Sequence, residues 1–138
     1  MRAFIDTNIL IYADDLDAGV KNRVAQQVLR GLISTSTGVL STQILQEYFV
    51  VATRKLGVPP GIARQKINLL STLEVIQVDL NAILGAIDLL RLHSLSFRDS
   101  LVVRCAATAG CTTLITEDLQ HGQVIEGVRI ENPFRSEK

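Results

Sequence analysis

Four acidic residues, Asp6, Glu47, Asp99 and Asp118, are each set among side chains that belong in a core. Asp6 interrupts two apolar runs in FIDTNILIY, with Thr7 and Asn8 beside it. Glu47 has Ile44 three residues before it and Val50 and Val51 after, which at about 100° per residue puts a carboxylate within a mostly apolar helix surface. Asp99 begins a helical pattern continued by Val102, Val103 and Ala106. Asp118 follows the apolar run ending at Thr116 in LITEDLQHG. Brought together, such carboxylates would repel and raise one another's pKa. Something positive must join them, and hard divalent cations such as Mg²⁺ or Mn²⁺ take oxygen ligands. Such a centre can activate water and hold phosphate oxygens, with two ions about 4 Å apart if both positions fill.

Each acid also has a plainer reading. Asp6 suits a helix N-cap, with Thr7 and Asn8 as turn residues. Ser96 to Asp99 resembles a capping box with Asp in place of Glu, and Asp118 suits a turn. Glu47 and Arg54 lie seven apart, a poor spacing for an ion pair. Glu117 reads as an exposed loop acid rather than a ligand. Acids dispersed through the fold, or salt-bridged beyond the reach of solvent, would sink the joint reading.

The elements that must position these groups alternate. Five β-like runs (Arg2–Ile5, Val39–Ser41, Val75–Val78, Thr113–Thr116, Val128–Glu131) are separated by helical patterns near Ala18–Ile33, Thr42–Leu56, Pro60–Ser71, Asn81–His93 and Arg98–Ala109. Gly57 and Gly110 suit helix ends, Pro59 and Pro60 a first turn, and Asp79 an N-cap. The alternation implies βαβ units and a parallel sheet covered on both faces. Reactive groups on such a sheet collect at the carboxyl ends of the strands. Asp6, Glu117 and Asp118 are expected there.

Composition narrows the choice of partner. The 138 residues are 47% hydrophobic with three prolines, as expected of one domain over 1–138 with a real core and a frayed tail from Arg135. Fourteen basic residues balance fourteen acidic ones, so any polyanion must be held by a local patch, a dimer or bound metal. Aromatics at 4% argue against a base-stacking platform. Cys105 and Cys111 form no zinc motif and are expected to be buried thiols. No signal-like or membrane-spanning stretch is present, which points to a cytoplasmic location. No phosphate-binding glycine motif is present either. His121 reads as a mobile loop residue, His93 as a helix end, and Arg54 and Lys55 as a helix terminus that could also contact RNA. A dehalogenase-like phosphatase would need a second Asp where Asn8 stands. A receiver domain would need a lysine after a late strand, and Lys21, Lys55, Lys66 and Lys138 do not supply it.

FIDTNILIY, QEYFVVATRKL, LSFRDSLVVRCA and TEDLQHGQVIEGVRIENPF, in that order and spacing, resemble the PIN-domain ribonucleases, and among them the VapC-type toxins of toxin–antitoxin pairs. The resemblance covers about Arg2 to Phe134. It implies a three-layer Rossmann-like α/β fold with a five-stranded parallel sheet of order 3-2-1-4-5. Asp6, Glu47, Asp99 and Asp118 would be the catalytic, metal-holding quartet, supported by Thr7, Asn8 and Thr116, with Glu117 at a variable position. The implied activity is Mg²⁺- or Mn²⁺-dependent RNA hydrolysis leaving 5′-phosphate and 3′-hydroxyl ends, by a homodimer that a small antitoxin inhibits. The rival is a non-catalytic binding module of the same fold. Arg98 and Ser100 depart from the aromatic and Ala that close relatives often carry, and Arg104 interrupts a usually more apolar helix. Both arginines read most simply as solvent-facing charge; contact with phosphate near the metal is the alternative.

Overall fold

The computed structural model describes residues 1–135. The expected fraying from Arg135 falls mostly on residues 136–138, outside the described residues. The central strand β1 (Ala3–Ile5) is buried along its whole length, as strands covered on both faces must be. It pairs in parallel with β2 (Gly38–Ser41) and β4 (Thr113–Ile115), setting Phe4 beside Val39 and Leu114. β3 (Glu74–Ile76) extends the sheet beyond β2, and β6 (Val128–Glu131) extends it beyond β4.

A two-residue strand, β5 (Val124–Ile125), closes the far edge antiparallel to β6, giving the order β3-β2-β1-β4-β6-β5. The expected parallel order is therefore present, with one additional antiparallel edge strand. Glu126 and Gly127, both at positive φ, make the tight hairpin between β5 and β6. A strand this short has no readable alternation, which is why the pattern did not reveal it.

The helices fall into two packed groups. α1 (Thr7–Asp14) lies against α2 (Val20–Thr35) and α3 (Thr42–Arg54), and α3 against α4 (Pro60–Leu70). α5 (Leu80–Leu92) packs on α6 (Phe97–Thr108), which rests against β2, β4 and β6. Pro60 starts α4, the Asp79 side chain caps α5 through Ala82 N–H at 2.9 Å, and Gly110 follows α6 at φ 72°. α1 was signalled only by the N-cap reading of Asp6 and not by a helical pattern. Ile9, Leu10 and Ile11 are all buried, so the segment lacks the one-sided period that marks a surface helix.

Arg104 corrects the reading of solvent-facing charge. Its guanidinium lies over Gly85 of α5, where an added Cβ would come within 2.4 Å of Nε. The missing side chain at Gly85 is what lets α5 and α6 approach around an arginine stem. Cys105 and Cys111 are free and buried, as expected. Burial pushes both thiols up to about 11. Among the described residues, no helix is long and apolar enough to cross a membrane.

Candidate active site

Asp6 leaves the carboxyl end of β1 and caps α1, as its N-cap reading expects. Its Oδ1 accepts from the Thr7 N–H at 2.7 Å, and its Oδ2 from Thr116 Oγ1, also at 2.7 Å. Thr116 follows β4, the neighbouring strand, so parallel pairing brings cap and hydroxyl together. Asp6 is 2% exposed. Thr7 works in two directions, its N–H on Asp6 and its hydroxyl donating to Glu47 Oε1 at 2.6 Å. Glu47 projects from the middle of α3 without any bond to Arg54.

Asp99 sits in the first turn of α6, where its N–H donates to Ser96 Oγ at 3.0 Å. Half of the expected capping box is present, since the Asp99 carboxylate is turned to Arg98 instead. At a helix N-terminus that charge is favoured by the dipole. Asp118 lies in the loop after β4 with its N–H on Thr116 Oγ1 at 3.1 Å. Burial raises its pKa, the charge of Asp6 adds to this, and Arg98 opposes it.

The four acids do converge, and the positive group joining them is a side chain of the chain itself. Arg98 Nη2 donates to Asp6 Oδ1 at 2.6 Å and Glu47 Oε1 at 2.7 Å, and Nε donates to Glu47 Oε2 at 3.2 Å. Nη1 reaches Asp99 Oδ1 at 3.1 Å and Asp6 Oδ2 at 3.3 Å, with Asp118 Oδ2 3.9 Å away. The solvent-facing reading of Arg98 is thus overturned. A cation in the first turn of a helix opposes the dipole, and four carboxylates outweigh that cost. Burial alone would lower the Arg98 pKa, but hydrogen bonds and charges from Asp6 and Glu47 lift it above its ordinary value. The one hint in the sequence was this placement, an arginine beside the acid at a helix start.

The other acid of the loop is held separately. Glu117 accepts from Lys21 Nζ at 2.8 Å and from the Tyr12 hydroxyl, so it is a tethered residue rather than the exposed loop acid expected. Lys21 lies over the Tyr12 ring, which meets Phe134 edge-on at 5.2 Å. Burial first, then Glu117, raises the Tyr12 pKa. His121 is also anchored, its Nδ1 accepting from the Asn132 N–H at 3.1 Å, which corrects the mobile reading. Asn8 borders the cleft, and its Oδ1 is buried with no hydrogen-bond partner among the described residues.

A cleft of about 650 Å³ opens on the cluster and runs from Arg98 and Asp118 past Tyr12 to Val50, Val51 and Lys55. Glu47, Asp99 and Asp118 keep 30%, 23% and 47% of their side-chain surface in contact with solvent. The cluster is salt-bridged but reachable. Its oxygen donors suit a hard divalent cation by type. Their present arrangement does not, because both oxygens of Asp6 and of Glu47 already accept hydrogen bonds. Among the described residues, no three His, Cys, Asp or Glu side chains are set to hold a metal ion.

With this geometry, the match of the PIN-domain family model to residues 3–126 has a structural counterpart, and the chain belongs to the PIN-domain family. Solved structures share the architecture. A toxin–antitoxin complex from Klebsiella pneumoniae contains a chain 25% identical at a TM-score of 0.70, covering 95% of this chain and 97% of that one. VapC20 of Mycobacterium tuberculosis, a sarcin-ricin loop cleaving toxin, is 18% identical at 0.65, covering 81% and 86%. DNA-bound VapBC from Salmonella typhimurium is 23% identical at 0.68, covering 96% and 98%. No curated protein sequence matches the chain.

Proposed function

We propose that this chain is an endoribonuclease of the VapC toxin type, dependent on Mg²⁺ or Mn²⁺. The observation that carries this reading is the convergence of Asp6, Glu47, Asp99 and Asp118, from four separate elements, on one cluster that borders a cleft through Glu47, Asp118 and Arg98. Family membership supplies the reaction class. Asp6, Glu47, Asp99 and Asp118 would hold the cation, which when bound polarises the phosphate and lowers the pKa of water.

The chain's own groups have separable tasks. Thr7 and Thr116 fix the rotamer of Asp6, the most buried member of the cluster. Thr7 orients Glu47 through the same contact set. Asp118 is the acid least tightly engaged by Arg98, 3.9 Å from Nη1, and is the carboxylate best placed to accept a proton from the attacking water. Lys55, at the far end of the cleft, is placed to meet an RNA phosphate.

The partner assignments rest on likeness. We infer a homodimer, since Leu80, Leu84 and Ile87 of α5 leave an apolar face 41% or more exposed. Static light scattering should give about twice the monomer mass; monomer at all micromolar concentrations would refute this. We further infer a small antitoxin that covers the cleft, and a cytoplasmic location.

The deciding experiment incubates the protein with structured RNA and Mg²⁺ or Mn²⁺, with EDTA and Asp6→Asn as controls. Cleavage lost in both controls is the expected result. Cleavage surviving both would mean a contaminant or another mechanism. The full engagement of Asp6 and Glu47 by Arg98 favours a second reading, a non-catalytic binding module, which failure to cleave any RNA would support.

A further inference from the structure

We propose that Arg98 is a resident cation which a divalent metal must displace, so that metal loading of this chain requires one side chain to swing out of the carboxylate cluster. This inference rests on the reading that the cluster binds such a metal. Arg98 uses Nε and both terminal nitrogens on three acids, so metal and guanidinium compete for the same inward-facing oxygens. Charge-assisted forked bonds of this kind are the strong ones. The guanidinium stays protonated at any pH the fold survives, so it leaves by rotation and not by titration.

The route is open. The Arg98 side chain is 33% exposed and borders the cleft. Its backbone is fixed independently, by the Ser96 cap on Asp99 N–H and by Gln43 Nε2 donating to the Arg98 carbonyl at 3.4 Å. Only side-chain torsions need change, and α6 stays wound. Removing Arg98 leaves four carboxylates with no shared cation, which raises their demand for a metal.

Two measurements test this. Isothermal titration with Mn²⁺ compares wild type, Arg98→Gln and Asp6→Asn; the first variant should bind at least about tenfold more tightly than wild type, a difference of ~1.4 kcal/mol, and Asp6→Asn should bind weakest. In wild-type protein, the ¹⁵Nε signal of Arg98 should move on saturation with MgCl₂ as its carboxylate partners are lost. Equal affinities of wild type and Arg98→Gln, or an Arg98 signal unmoved at saturation, overturn the proposal while the metal reading stands. If neither protein binds Mn²⁺ or Mg²⁺, the metal reading fails and takes the proposal with it. Should Arg98→Gln not fold, the wild-type titration decides alone.

Discussion

Asp6 and Asp14 stand at opposite ends of the same eight-residue helix, α1, and each is met by a cation from elsewhere in the chain. Asp14 has Lys66 Nζ at 2.6 Å and the Tyr48 hydroxyl to itself. Burial first, then the neighbouring carboxylate, raises the Tyr48 pKa, so the phenol stays a donor. At the other end, Asp6, Glu47, Asp99 and Asp118 share a single guanidinium. One acid with its own cation and donor is a finished ion pair that ties α1, α3 and α4 together. Four acids with one cation are an unfinished one. On the proposed reading, the excess of negative charge, rather than the presence of acids, is what would separate a reaction centre from a structural contact.

That contrast breaks most clearly by mutation. Asp6→Asn should lower RNA cleavage at least ~100-fold, the scale for losing one preorganised group at a reacting phosphate, with little loss of thermal stability; rates within a few-fold of wild type would remove Asp6 from the centre. Lys66→Met should do the reverse. It leaves Asp14 with one donor in a half-buried site and should cost about 1–2 kcal/mol in urea denaturation, while cleavage per folded molecule holds. A large activity loss at unchanged stability would erase the distinction between the two ends of α1.

Two smaller effects sharpen it. Glu117 has its own cation, Lys21, as Asp14 does. Glu117→Gln should therefore behave as a structural change, costing at most about 1 kcal/mol and leaving cleavage far above that of Asp6→Asn in the same assay. The thiols offer a charge-free reference. Their folded pKa of about 11 lies above the ordinary 9.0, so the unfolded chain loses those protons first. The stability they contribute is full below about pH 9 and is lost as pH rises toward about 11. Urea midpoints across that window should fall less in the Cys105→Ala, Cys111→Ala double variant than in wild type; an identical fall would assign the effect to other groups.

Legibility in the sequence followed the range of each interaction. The parallel order around β1 was readable because short apolar runs and cap residues such as Asp79, Pro60 and Gly110 act over a few residues. The helical period of α1 and the strand β5 were not, one because Ile9, Leu10 and Ile11 are buried in succession and the other because two residues show no period. Asp6 was readable both as a cap and as a member of an acidic cluster; it caps α1 and shares Arg98 with the other three acids. His121 and Glu117 were misjudged because their partners, Asn132, Lys21 and Tyr12, are 11 to 105 positions away.

By itself the sequence determined the layered sheet and the family and singled out the four acids that converge, since apolar periodicity and residue type are local properties written in order along the chain. Where a long, flexible, charged side chain comes to rest was decided only by the tertiary structure. Arg98 and Arg104 lie on one helix six positions apart; one is drawn into carboxylates and the other laid over a glycine. An arginine stem has torsions enough to reach either fate. The choice belongs to the field and the space around it, and those exist only once the chain has folded.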